Sequence, residues 1–132
     1  MRPSRIVANV VGFMLFVQVI LGGLSVLLNY PIDYHLIWGI VTFIVLIAAT
    51  VLAARDYGVR STISKVAYAT IADFVIQGVL GVLSFGSDAV VVVHLANAFV
   101  LAVLATYLIS FVDRAESLKV PAPAGKIPPT PV

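Results

Sequence analysis

Four long apolar stretches constrain the fold of this chain more than any motif does. They run at about Ile6–Leu28, Pro31–Ala54, Ile63–Phe85 and Ala89–Val112, and Lys65, near an end, is the only Lys or Arg within them. Each is long enough to cross the hydrocarbon core of a bilayer, which takes about 20 apolar residues. With 61% hydrophobic and 11% charged residues, the composition excludes an ordinary soluble domain. We therefore predict an all-α, integral membrane four-helix bundle that contacts the lipid bilayer.

The positive charges predict how the four spans are oriented. All eight Lys and Arg side chains fall on one side of a four-span arrangement: Arg2, Arg5, Arg55, Arg60, Lys65, Arg114, Lys119 and Lys126. The positive-inside rule then predicts a multi-pass protein of the cell membrane with both termini in the cytoplasm. This distribution gives no reason to expect nucleic acid as a partner. Residues 115–132 are predicted to form a proline-rich cytoplasmic tail, in which the segment "VPAPAGKIPPTPV" is expected to be extended or disordered.

An internal repeat divides the predicted bundle, residues 1–114, into two hairpins at 6–55 and 63–114. When Gln18–Arg55 is compared with Gln77–Arg114 at an offset of 59, nine of 38 positions are identical. The identical pairs are Gln18/Gln77, Leu21/Leu80, Gly22/Gly81, Leu24/Leu83, Ser25/Ser84, His35/His94, Leu36/Leu95, Val41/Val100 and Arg55/Arg114. We interpret the pattern as duplication of a helical hairpin, with the two copies related by a pseudo-two-fold axis along the membrane normal.

The two histidines of the chain occupy equivalent positions in this repeat. His35 and His94 each precede an arginine by 20 residues, which is about 30 Å along a helix, so both are expected near the outer edge of the membrane. Two imidazoles that face each other inside an apolar bundle suit haem, whose iron takes one nitrogen from each side. Zinc fits less well because no third ligand is near. The alternative is a pair of interfacial residues at helix starts.

Glutamine and glycine share one face of the first and third helices. Gln18 with Gly22, and Gln77 with Gly81, stand four residues apart, which places each pair on one helical face. We predict that these residues line the haem site, where glycine lets a flat macrocycle approach closely. A small-residue packing face with polar side chains between helices is the alternative. Asp73 lies one turn before Gln77 on the same face. Its role could be that of a proton relay, a polar anchor near a ligand or a hydrogen-bonded group in helix packing.

These motifs resemble those of the haem A synthase family, over about Val7 to Arg114. The segments "QVILGGLSVLL" before His35 and "QGVLGVLS" before His94 are similar to the family's signatures, in which such a helix precedes a helix with a haem-binding histidine. The chain resembles a half-length member with a single bundle. The resemblance implies that His35 and His94 are axial iron ligands and that Gln18 and Gln77 lie on the pocket wall. It also implies oxidation of haem O to haem A for assembly of a terminal oxidase.

The chain departs from the family pattern at several positions. Leu36 and Leu95 follow the histidines where members often have arginine, and only Asp33 stands near the place of a catalytic glutamate. We therefore take Asp33 as the candidate catalytic residue, with a helix N-terminal acid as its other interpretation. Two further functions stay open: a b-type cytochrome or electron-transfer subunit of a respiratory complex, and a structural subunit without a cofactor. A homo-oligomer is compatible with each.

Overall fold

The computed structural model describes residues 2–118 and shows an all-α bundle of four long helices. The helices are α1 (Pro3–Leu28), α2 (Ile32–Tyr57), α3 (Thr62–Leu83) and α4 (Asp88–Ser117), and a short 3-10 turn, Ser84–Gly86, precedes α4. The predicted fold class is confirmed. Part of the proline-rich tail, residues 119–132, lies outside the described residues, and α4 continues three residues past the predicted end of the bundle.

All four helices are long and apolar enough to cross a membrane, which confirms a multi-pass membrane protein. The 26 residues of α1 span about 39 Å at 1.5 Å per residue. Large apolar side chains cover the outside of the bundle; Phe13, Phe16 and Phe99, for example, are 64%, 63% and 75% exposed. In water such a surface would be unfavourable, whereas lipid solvates it without cost.

Local sequence signals explain where the helices begin and end. Pro3 occupies the first turn of α1, where its missing N–H is not needed. Asn29 ends α1 in the left-handed conformation, with φ 52°, and Gly58 follows α2 with φ 87°, a region that glycine enters without strain. Ser61 caps α3 by accepting a hydrogen bond from the N–H of Ser64. These caps keep the links short, so consecutive helices are antiparallel neighbours.

The helices form a closed ring of four. The hairpins α1–α2 and α3–α4 pack most extensively, and α1 against α4 and α2 against α3 complete the ring. Within residues 2–118, the backbones of the diagonal pairs α1–α3 and α2–α4 do not come close to each other, although side chains of α2 and α4 meet on the axis between them. The ring therefore has a central axis onto which side chains of all four helices can project.

The packed core occupies only one half of this ring, the half near the chain termini, called here the terminal half. Its buried side chains include Val11, Leu46, Ala67, Leu108 and Val112. In α1 and α3 the buried residues stop at Leu15 and Thr70, and in α2 and α4 they start only at Thr42 and Leu101. The other half, next to the α1–α2 and α3–α4 links, is called the histidine half and lacks such a core.

Charged side chains join the helix ends by ion pairs and hydrogen bonds at the end of the bundle that carries the chain termini. Arg5 Nε lies 2.6 Å from Asp113 Oδ1, and Arg2 Nε lies 3.3 Å from Glu116 Oε1. Arg2 also donates to the Asp56 carbonyl at 2.7 Å and lies over the Tyr57 ring. These contacts explain why the helices extend about a turn past the predicted apolar stretches, since charges at a membrane surface stabilise one another there.

Candidate functional site

A large, partly open cavity occupies the histidine half of the bundle and reaches the adjoining end of the packed core. Its volume is about 1270 Å³, and all four helices line it. The six residues predicted to bind the cofactor or its iron all lie on its wall: Gln18, Gly22, His35, Gln77, Gly81 and His94. The repeat therefore brings its shared polar and small residues to one place. A half-bundle without a core around such a cavity is the arrangement expected of a binding site.

His35 is held by the glutamine of its own hairpin. Its Nδ1 lies 3.1 Å from the main-chain oxygen of Gln18, and its Nε2 lies 3.3 Å from Gln18 Nε2. The same amide nitrogen donates to the main-chain oxygen of His35 at 3.1 Å. One glutamine thus contacts both ring nitrogens and the backbone of one histidine.

The second hairpin repeats these contacts almost atom for atom. His94 Nδ1 lies 3.1 Å from the main-chain oxygen of Gln77, and Gln77 Nε2 lies 3.4 Å from His94 Nε2 and 3.0 Å from the His94 main-chain oxygen. The 17-residue spacing from Gln to His, seen twice in the sequence, corresponds to this interhelical unit.

These contacts fix the tautomer of both rings. A main-chain carbonyl can only accept, so Nδ1 of His35 and of His94 carries the proton and donates. The amide nitrogens then donate to Nε2, which keeps its lone pair. A backbone carbonyl on Nδ1–H is the usual partner of a metal-binding histidine, since it orients the ring and makes Nε2 the better ligand.

Glycine at positions 22 and 81 makes room for the imidazoles. A Cβ on Gly22 would lie 3.0 Å from Cε1 of His35, and one on Gly81 would lie 3.1 Å from Cε1 of His94. Each glycine thus lets the Cε1 edge of an imidazole come close to the neighbouring helix; the predicted approach of a macrocycle stays a prediction.

The two histidine rings meet across the cavity. Their centroids are 6.4 Å apart, and the ring planes are inclined at 76°. A metal–imidazole bond of about 2 Å and roughly 1.1 Å from nitrogen to ring centroid would place two imidazoles that share one iron about 6.2 Å apart. The centroid spacing and the tautomers therefore suit a haem held by His35 and His94, although each Nε2 faces the glutamine of its own hairpin. For iron to bind, each Nε2 must first lose its contact with the glutamine amide.

The other predicted polar residues lie in different surroundings. Asp33 is exposed in the first turn of α2 and does not line the cavity, which is the position of a helix N-terminal acid; its predicted catalytic role stays a prediction. Ser25 and Ser84 do line the cavity, but their hydroxyl groups bond to carbonyls of their own chain segment, Leu21 and Gly81, and not to the histidines.

Asn97, which lies within a turn of His94, makes a contact with a site glutamine that the sequence did not reveal. Its Nδ2 donates to Gln77 Oε1 at 2.9 Å, and its side chain lies next to the carboxyl group of Asp73, whose Oδ2 is buried without a hydrogen-bond partner among residues 2–118. The repeat counterpart of Asn97 is Trp38, whose indole donates to the main-chain oxygen of Met14 at 2.8 Å. The sequence does contain a signal for this contact, because Asn97 and Asp73 are polar residues at positions where the first hairpin has Trp38 and Met14.

Comparison with known proteins finds no matching family model, no matching curated protein and no matching solved structure. The geometry of the site and the motifs it brings together are therefore the basis for a function.

Proposed function

We propose that this protein binds haem in the histidine half of its membrane bundle, with His35 and His94 as the two axial ligands of the iron. The observation that carries the proposal is the pair of imidazoles 6.4 Å apart inside a cavity of about 1270 Å³. A side-chain core fills the terminal half, whereas the histidine half is built around polar and small residues that repeat in both hairpins.

The protein's own groups prepare the two imidazoles for this role. The main-chain oxygens of Gln18 and Gln77 hold the Nδ1 protons, which leaves a lone pair on each Nε2 and sets the ring orientation. Most of the residues that line the cavity are apolar, which suits the hydrophobic faces of a porphyrin. Bound haem would supply one-electron redox chemistry there.

Within this proposal, the motif resemblance favours a half-length haem A synthase. Its reaction would be the oxidation of haem O to haem A for assembly of a terminal oxidase, in the cell membrane and with both chain termini in the cytoplasm. Asp33 is exposed, and no acidic side chain within the described part of the chain lines the cavity. Electron transfer as a b-type cytochrome is therefore the second haem-based function, since it needs no such group.

A structural role without a cofactor is favoured by a different observation. Both ring nitrogens of each histidine already have partners within their own hairpin. Buried polar side chains that satisfy one another in this way can act purely as links between membrane helices.

An optical spectrum of the purified protein separates the haem-based functions from the structural one. We expect a Soret band on purification or after reconstitution with haem. His35→Ala and His94→Ala should each lose most of the bound haem. Ile37→Ala and Val93→Ala are matched controls, because these neighbouring residues are exposed on the outside of the bundle and do not line the cavity. Haem content unchanged in both histidine variants would refute the proposal.

Coexpression with a source of haem O separates the two haem-based functions. Haem A should accumulate if the protein is the synthase, and extraction followed by chromatography detects it. An electron-transfer subunit would keep its original haem and yield no haem A. Asp33→Asn tests the catalytic candidate in the same assay, because it removes the charge and keeps the size of the side chain.

A further inference from the structure

The two glutamine–histidine units differ in what lies behind the glutamine. Gln77 Oε1 accepts a hydrogen bond from Asn97 at 2.9 Å. Gln18 Oε1 is buried and has no hydrogen-bond partner among residues 2–118. Its amide cannot simply be reversed, because Nε2 must donate to the main-chain oxygen of His35. The first unit therefore contains an unsatisfied acceptor, which is unfavourable in a buried position, and the second does not.

Sequence differences at two repeat positions produce this asymmetry. Asn97 is replaced in the first hairpin by Trp38, whose indole bonds to the Met14 main-chain oxygen instead of to Gln18. Asp73, which lies next to Asn97, is replaced by Met14 itself. The second hairpin thus has side-chain contacts that run from Asn97 to Gln77 and on to His94, whereas no side chain of the first hairpin bonds to Gln18 Oε1.

We propose that Asn97 is a positioning residue that locks the Gln77 amide over Nε2 of His94, so that the two histidines differ in availability and His35 is the one that accepts a ligand first. Turning the Gln77 amide away breaks its bond with Asn97. Turning the Gln18 amide away breaks no bond at Oε1 and lets that atom find a partner. His35 therefore exposes its lone pair more readily than His94.

Carbethoxylation of the histidines in the haem-free, full-length protein tests this inference without any haem. Diethyl pyrocarbonate reacts with an imidazole nitrogen whose lone pair is free, and peptide mass spectrometry gives a separate rate for each histidine. In nanodiscs, the wild-type protein should react faster at His35 than at His94. The rate ratio of His94 to His35 within one sample cancels differences in reagent concentration.

Variants at position 97 distinguish locking of the Gln77 amide from a simple difference in the access of the reagent to the two histidines. Asn97→Ala and Asn97→Leu should raise the His94 to His35 ratio about two- to tenfold, the effect of losing one hydrogen bond. Gln77→Leu, which removes the amide itself, sets the upper limit. Ser117→Ala is the control on the same helix, since Ser117 is exposed and bonds only within α4. A ratio that stays at the wild-type value in both Asn97 variants overturns the inference.

The consequence for haem rests on the proposed function and is measured separately. If haem binds, His35→Ala should retain less haem than His94→Ala, and Asn97→Leu should reduce that difference. If the protein binds no haem, the proposed function fails, whereas the carbethoxylation rates still support or refute the locking of His94.

Discussion

The close fit between glycine and imidazole leads to a prediction that does not depend on any cofactor. In Gly22→Ala the new methyl carbon would lie 3.0 Å from Cε1 and 3.2 Å from Nδ1 of His35, so the ring must retreat by about 0.4 Å to reach the 3.4 Å of an ordinary contact. That movement strains the ring's contacts with Gln18, at 3.1 and 3.3 Å.

The size of the effect follows from two opposing terms. Each hydrogen bond contributes about 0.5–1.5 kcal/mol, and two are disturbed. Replacing a helical glycine by alanine is otherwise favourable by about 0.5–1 kcal/mol. Gly23→Ala gains the second term alone, because no atom lies within 4 Å of its added Cβ. Gly22→Ala should therefore have a free energy of unfolding about 1–3 kcal/mol below that of Gly23→Ala.

Reversible unfolding in mixed detergent micelles, followed by circular dichroism, measures this difference. Gly81→Ala and Gly78→Ala form the equivalent pair in the second hairpin, since only Gly81 lies against a histidine. Equal stability of Gly22→Ala and Gly23→Ala would show that the imidazole does not lie on the glycine, and the arrangement of the site would be wrong.

Three further substitutions and one control test the terminal half of the bundle in the same unfolding assay. Leu46→Ala should lower the free energy of unfolding by about 2–5 kcal/mol, because Leu46 is fully buried; a loss below 1 kcal/mol would contradict the position of the core. Ser61→Ala removes the cap of α3 and should cost about 1 kcal/mol, whereas Ser117→Ala should change little. Arg5→Ala should cost less than about 1 kcal/mol, because its ion pair with Asp113 is partly exposed; a larger loss would show that the pair is buried in the membrane-bound protein.

The fold could be predicted from sequence because few architectures suit these stretches. Apolar runs of about 20 residues can satisfy their backbone in lipid only as helices, and short polar links make consecutive helices antiparallel. The helix ends were harder to predict from the sequence. The apolar stretches begin at Ile6 and end at Val112, yet α1 begins at Pro3 and α4 ends at Ser117, because a helix continues past the hydrocarbon layer when its charges find partners.

The sequence predicted which residues belong to the candidate site, but it did not predict which of them contact one another. An offset comparison selects Gln18, His35 and their counterparts, since polar residues rarely coincide by chance in an apolar chain. It does not reveal that each glutamine faces the histidine of its own hairpin, or that Asn97 supports only Gln77. Such contacts depend on the rotation of neighbouring helices, and hydrophobic periodicity sets that rotation only loosely when the helix surface faces lipid all round.

Electron paramagnetic resonance of the oxidised, haem-loaded protein tests the central claim most directly, since it reports the ligands of the iron. Two imidazole ligands predict a low-spin ferric signal that is lost in His35→Ala and in His94→Ala and is unchanged in Ile37→Ala. A high-spin signal in the wild-type protein, or a low-spin signal that survives both histidine substitutions, would show that these imidazoles do not hold the iron.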